Sequence, residues 1–128
     1  MSIKLTGDAL APFRQLLKQY DSFIQNKDVS GIMSLFVEDD EPVSFGLHVN
    51  LDDRESLQKR FTEYFNSTEP FVAEYDDPIV YQFGEAACLC IMLRADGAVA
   101  PLIRTTVFLE NHAGKWLIRH QHLSKSPA

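Results

Sequence analysis

The sequence has no basic cluster. Lys and Arg total 12 against 18 Asp and Glu, a formal charge of -6, which argues against nucleic acid and anionic membranes as principal partners, since both require grouped cations. Long apolar runs are missing too. The longest, Ala86 to Leu93, is far short of the roughly 20 residues that span a bilayer. The first residues, Met1 to Asp8, lack the apolar core of a secretory signal, so the expected location is cytoplasmic. Cysteine is scarce. Cys88 and Cys90 have no second Cys/His pair at ligand spacing, and two ligands do not make a zinc site. Two apart on a strand they lie about 6.5 Å from each other, too far for an easy disulfide, and they are expected to be buried thiols. Neither a metal nor a cofactor is expected.

What is present fits one domain over residues 1–128, with 1–7 and 125–128 as loose ends. In the first half, Leu10, Phe13, Leu16, Leu17, Tyr20, Phe23 and Ile24 recur at helical spacing, predicting an amphipathic helix from about Asp8 to Asn26. After the break at Asn26-Lys27-Asp28, Asp28 caps a short second helix carrying Val29, Ile32, Met33 and Phe36. The acidic run Glu38 to Glu41 reads as a solvated helix end. Val43 to Val49 predicts a first strand. Asp52, with Glu55 at capping-box spacing, starts a third helix that presents Leu57, Phe61, Tyr64 and Phe65.

From Glu69 the period changes to two. Five segments, ending with Ala86–Arg94, Leu102–Glu110 and Lys115–Leu123, are rich in strand formers and separated by turn residues. The last three form an antiparallel meander. The fold class is α+β, with helices from the first half covering one face of a curled sheet.

Register decides which side chains meet. A three-residue loop at His112-Ala113-Gly114 puts Arg104, Thr106 and Phe108 on one face with Trp116, Ile118, His120 and His122. Arg119, Gln121 and Leu123 then share the opposite face, under the helices. A two- or four-residue loop swaps the association. Under the first register His120 and His122, with Arg104, Thr106 and Trp116, mark a subunit interface or an alternative pocket. His48 sits at a rim position and His112 in a turn.

The order of elements, with Tyr20 on the first helix and the ending Gly114-Lys115-Trp116, Ile118, His120, His122, Ser124, resembles the SnoaL-like branch of the nuclear transport factor 2-like superfamily. The C-terminal part also resembles the association domain of calcium/calmodulin-dependent protein kinase II, through the same Gly-Lys-Trp, Ile and His-x-His spacing. The resemblance implies a cone: a curved sheet whose concave face, closed by helices, holds a pocket, while the outer face makes a homodimer. It also implies a choice among isomerases, dehydratases, cyclases and proteins that only bind or associate.

Residue by residue, the enzyme patterns are incomplete. The position of a ketosteroid isomerase base falls on Ser44 or Phe45, neither of which is a general base. Tyr20, His120 and His122 remain weak catalytic candidates, because the histidines have no acid in register to orient them. Of the six arginines, Arg94 matches the spacing of a pocket arginine in the kinase association domain, and Arg119 has inward parity. The expected pocket therefore comprises Tyr20, Phe45, Tyr64, Arg94, Arg119 and Gln121, for a small polar ligand such as a carboxylate.

Overall fold

In the structure, a computed structural model, residues 1–41, 43–47, 51–70, 72–95, 97 and 102–127 are described. Two-residue strand β1 (Ile3–Lys4) and a 3-10 turn over Gly7–Leu10 lead into helix α1 (Ala11–Gln25), with Pro12 near its start where the missing N–H costs nothing. Helix α2 (Val29–Met33) is capped by Asp28, whose Oδ1 accepts from the Gly31 N–H at 2.9 Å. Gly31 is required by packing. A Cβ there would lie 2.4 Å from the Phe23 ring and 2.7 Å from the capping carboxylate. Strand β2 (Ser44–Phe45), helix α3 (Arg54–Ser67) and strand β3 (Ala73–Glu74) precede the long strands β4 (Ile79–Phe83), β5 (Ala86–Ala95), β6 (Ile103–His112) and β7 (Lys115–Lys125).

These strands form one curved, unclosed seven-stranded sheet in the order β1-β4-β5-β6-β7-β2, with β3 on β5. Pairings between these seven strands are antiparallel except β2 on β7, and an isolated parallel bridge joins Phe36 to Ile118. The α+β expectation, three helices on the concave face of a curved mixed sheet, describes the fold. Both ends are tied more firmly than the sequence suggests: β1 pairs with β4 and the Ser126 N–H donates to the Leu102 carbonyl. The helix-facing side holds the core, including Phe13 and Leu16 of α1, Ile32 of α2, Leu57 of α3, and Val80, Leu89, Leu109 and Ile118 of the sheet.

The last hairpin combines the two alternatives, with the two-residue loop of the second and, past a bulge, the faces of the first. The loop has two residues, Ala113 and Gly114, at φ 54° and 90°, the positive values of a type I′ turn. That alone would swap the faces. A bulge restores them: Leu109 pairs with Ile118 and Phe108 with His120, so Arg119 is the extra residue. On the inner side of the bulge, Trp116 and Ile118 turn toward the helices, Trp116 with its ring 5.2 Å from that of Phe13. Beyond it, His120 and His122 face outward opposite Phe108 and Thr106. Trp116 therefore belongs to the core side and leaves the expected outer set.

Candidate functional site

Between the concave face and the helices lies a cavity of about 760 Å³. Its floor is laid by alternate residues of three strands: Leu89, Val107 and Gln121 form one row, Ile91, Thr105 and Leu123 the next. Leu16, Leu17 and Ile24 of α1 and Leu57 and Phe61 of α3 close it from the helical side. The lining is mainly apolar.

Two sets of its polar groups are engaged with one another. Gln121, 4% exposed, accepts at Oε1 from the Tyr20 hydroxyl (3.0 Å) and donates through Nε2 to Ser44 Oγ (3.2 Å). Parallel pairing of β2 with β7 sets Ser44 opposite Gln121. Burial pushes the Tyr20 phenol up to about 12, with the bond to Gln121 acting the other way, so the ring enters neutral pH as a hydrogen-bond donor. A second polar pair is Asp52 and Arg60. Nε of Arg60 donates to Oδ2 of Asp52 at 2.7 Å, and the carboxylate side chain is 3% exposed against 48% for the guanidinium. A third feature is Thr105, whose buried Oγ1 has no hydrogen-bond partner among the described residues.

Of the residues named from sequence, Tyr20, Tyr64 and Gln121 line this cavity. Phe45, Arg94 and Arg119 do not. Phe45 turns outward, with ring centroids 5.1 and 5.3 Å from those of His120 and His122. Its neighbour Ser44 points inward, 1% exposed and opposite Gln121. Arg94 pairs with Glu74 and Asp76 at 3.8 and 3.4 Å on the flank of β5. Arg119, displaced by its bulge, makes a two-pronged contact with Glu110 (2.9 and 3.1 Å) and reaches Asp39 at 2.7 Å. Those carboxylates raise its basicity, Glu110 first. Arg104 donates to Ser124 Oγ at 3.2 Å on the outer face. Arg14 is held by Asp77, and Arg54 by the carbonyls of Phe36 and Val37. The anticipated arginine pocket thus dissolves into separate pairs, and the guanidinium that lines the cavity belongs to Arg60.

The other corrections follow from the same geometry. Cys90 is exposed and Cys88 half-buried, because β5 is covered on one side alone. His112 is exposed and bonded to Glu110 at 2.9 Å. The position of His48 lies outside the described residues. Asp52 went unnoticed as a cavity residue because it reads as a helix cap. Asp53 is the cap, accepting from the Ser56 N–H at 2.8 Å, while Asp52 pairs its backbone with Ser44 and turns inward. Among the described residues no cluster of His, Cys, Asp and Glu could hold a metal ion. No helix there is long and apolar enough to cross a membrane.

Comparison with known proteins agrees with this architecture. A family model described as a SnoaL-like domain matches residues 14–128. No curated protein matches the chain. A provisionally assigned dehydratase of the nuclear transport factor 2-like family from Streptomyces avermitilis superposes with a TM-score of 0.76 at 14% identity, covering 93% of this chain and 96% of its own. A cystatin-like fold protein from Burkholderia xenovorans gives 0.75 at 19% identity, covering 100% and 99%. A provisionally assigned calcium/calmodulin-dependent protein kinase type II association domain from Thiobacillus denitrificans gives 0.73 at 12%, covering 89% and 94%. These likenesses carry the fold. The family match covers most of the chain, and the chain belongs to the SnoaL-like family.

Proposed function

We propose that this SnoaL-like domain binds a small, largely apolar molecule in the cavity between helices and sheet, and does so as a homodimer. The observation that carries the reading is the cavity itself. At about 760 Å³ it falls within the roughly 300–1,000 Å³ of small-molecule sites, and it combines apolar walls with a few fixed polar groups, as such sites do. Tyr20, Gln121 and Ser44 hold one another in place, so a ligand hydroxyl or carbonyl meets groups already oriented. A carboxylate clamp of Arg94 and Arg119 is not part of this reading, since both are engaged elsewhere.

The dimer rests on the outer face. Phe45, Tyr81, Met92 and Phe108 are 39%, 40%, 57% and 51% exposed there, a concentration of large apolar side chains that usually marks an interface.

Proton transfer in the same cavity is favoured by one observation. Asp52 is a carboxylate buried in the cavity wall, in a chamber that also holds the neutral phenol of Tyr20; once a bound carbonyl takes the Tyr20 hydroxyl over from Gln121, the two supply a base and a donor for its enolisation. One titration separates the readings. Binding of 2-acetonaphthone, a neutral ketone, followed by calorimetry, is expected at one site per chain and lost in Ile91→Trp, which fills the cavity. Deuterium entering the ketone methyl group in heavy water, and ceasing in Asp52→Asn, would add the catalytic reading. Binding that persists in Ile91→Trp would remove the cavity as the site.

A further inference from the structure

The charges around the cavity specify the ligand further, an inference that rests on reading the cavity as a binding site. Tyr20-Asp21 of α1, Glu63-Tyr64 of α3 and Tyr75 beside β3 all line it. Three of the chain's four tyrosines are in this set. Among the charged groups of the wall, Asp21, Asp52 and Glu63 stand against Arg60 alone. Arg60 and Asp52 satisfy each other. No Lys, Arg or His among the described residues lies within ion-pair distance of Asp21 or Glu63, so three carboxylates less one guanidinium leave two uncompensated negative charges.

An anion entering this chamber would pass Glu63 at its exposed rim and the half-buried Asp21, and the guanidinium it could use is already held by Asp52. A cation would meet the opposite situation. Its charge is offset by Asp21 and Glu63, and tyrosine rings present the negative faces that attract ammonium groups. The field of Asp21 already reaches one of those rings. Burial, the larger cause, and then Asp21 both push the Tyr75 phenol pKa up, each opposing its ionisation. We infer that the ligand of this cavity is an apolar molecule bearing one protonated amine or quaternary ammonium group, seated toward Asp21 and Glu63 with its apolar body against Leu89, Ile91 and Val107.

Three naphthalenes of matched size test this by isothermal titration at pH 7: 1-naphthylmethylamine, 1-naphthylmethanol and 1-naphthoate. The amine should bind about tenfold tighter than the alcohol, and the carboxylate more weakly than either. In the double variant Asp21→Asn, Glu63→Gln the alcohol should bind as before, which also reports an intact fold, while the amine's advantage falls to about twofold or less. If the alcohol binds and the amine is no tighter, or if the carboxylate is tightest, the inference is overturned and the cavity reading stands. If none of the three binds, both are overturned.

Discussion

The two faces of the sheet are made from alternate residues of the same strands, yet they differ in kind. On β6, Val107 and Leu109 face the helices and are sealed, while Phe108 between them is 51% exposed. On β5, Ala87 and Leu89 are sealed and Cys90 and Met92 are open. The inner face ties Gln121 to Tyr20 and Ser44 and encloses a chamber. The outer face mixes Phe45, Phe108, Cys90, Thr106 and two histidines with no covering element among the described residues. One pleat therefore gives enclosure on one side and an open, partly apolar surface on the other.

The sharpest way to break the comparison is to damage one face at a time. Leu89→Ala removes a fully buried side chain from the centre of the cavity floor and should lower stability by about 3 kcal/mol, within the roughly 2–5 kcal/mol seen for such truncations; urea denaturation measures it. A loss under 1 kcal/mol would mean that the inner face is not the core. Phe108→Arg alters the next side of the neighbouring strand. It should leave the protomer folded, while weakening self-association about thirtyfold or more, seen as a halved mass in light scattering at micromolar concentration. An unchanged mass would remove the outer face as the interface.

Much of this division was legible in the chain. Period-two alternation identified the strands, and helical spacing identified Phe13, Leu16, Ile32 and Leu57 as core. Tyr20, Tyr64 and Gln121 point inward as pattern suggests, while His120, His122, Thr106 and Arg104 face outward as expected only because the bulge restores the parity that the two-residue loop removes. The failures have a common cause. A bulge adds one residue without a composition signal, so the faces on either side of Arg119 cannot both be right in a straight strand, and Trp116, Ile118 and Arg119 were misplaced together. Asp52 was lost to an equally local ambiguity. Two adjacent aspartates can each cap a helix, and only the backbone pairing of Asp52 with Ser44 decides which one does.

Arg119 marks the point where the two faces change places, and it supplies the smallest and most selective test. Its guanidinium holds Glu110 and Asp39, and it is the first cause lowering the carboxyl pKa of each; His112 helps at Glu110. Carboxyls depressed on folding add stability that is complete above their ordinary range and disappears as pH falls through the lowered native values. Melting temperature should therefore decline as pH falls through that acidic range, more steeply for the wild type than for Arg119→Met. The variant should be slightly less stable at pH 7, because partly exposed ion pairs contribute little, and the two curves should converge once both carboxyls are protonated. Parallel curves would show that Arg119 holds the bulge by packing alone. Convergence would show that the residue separating the enclosed face from the open one is fixed there by charge.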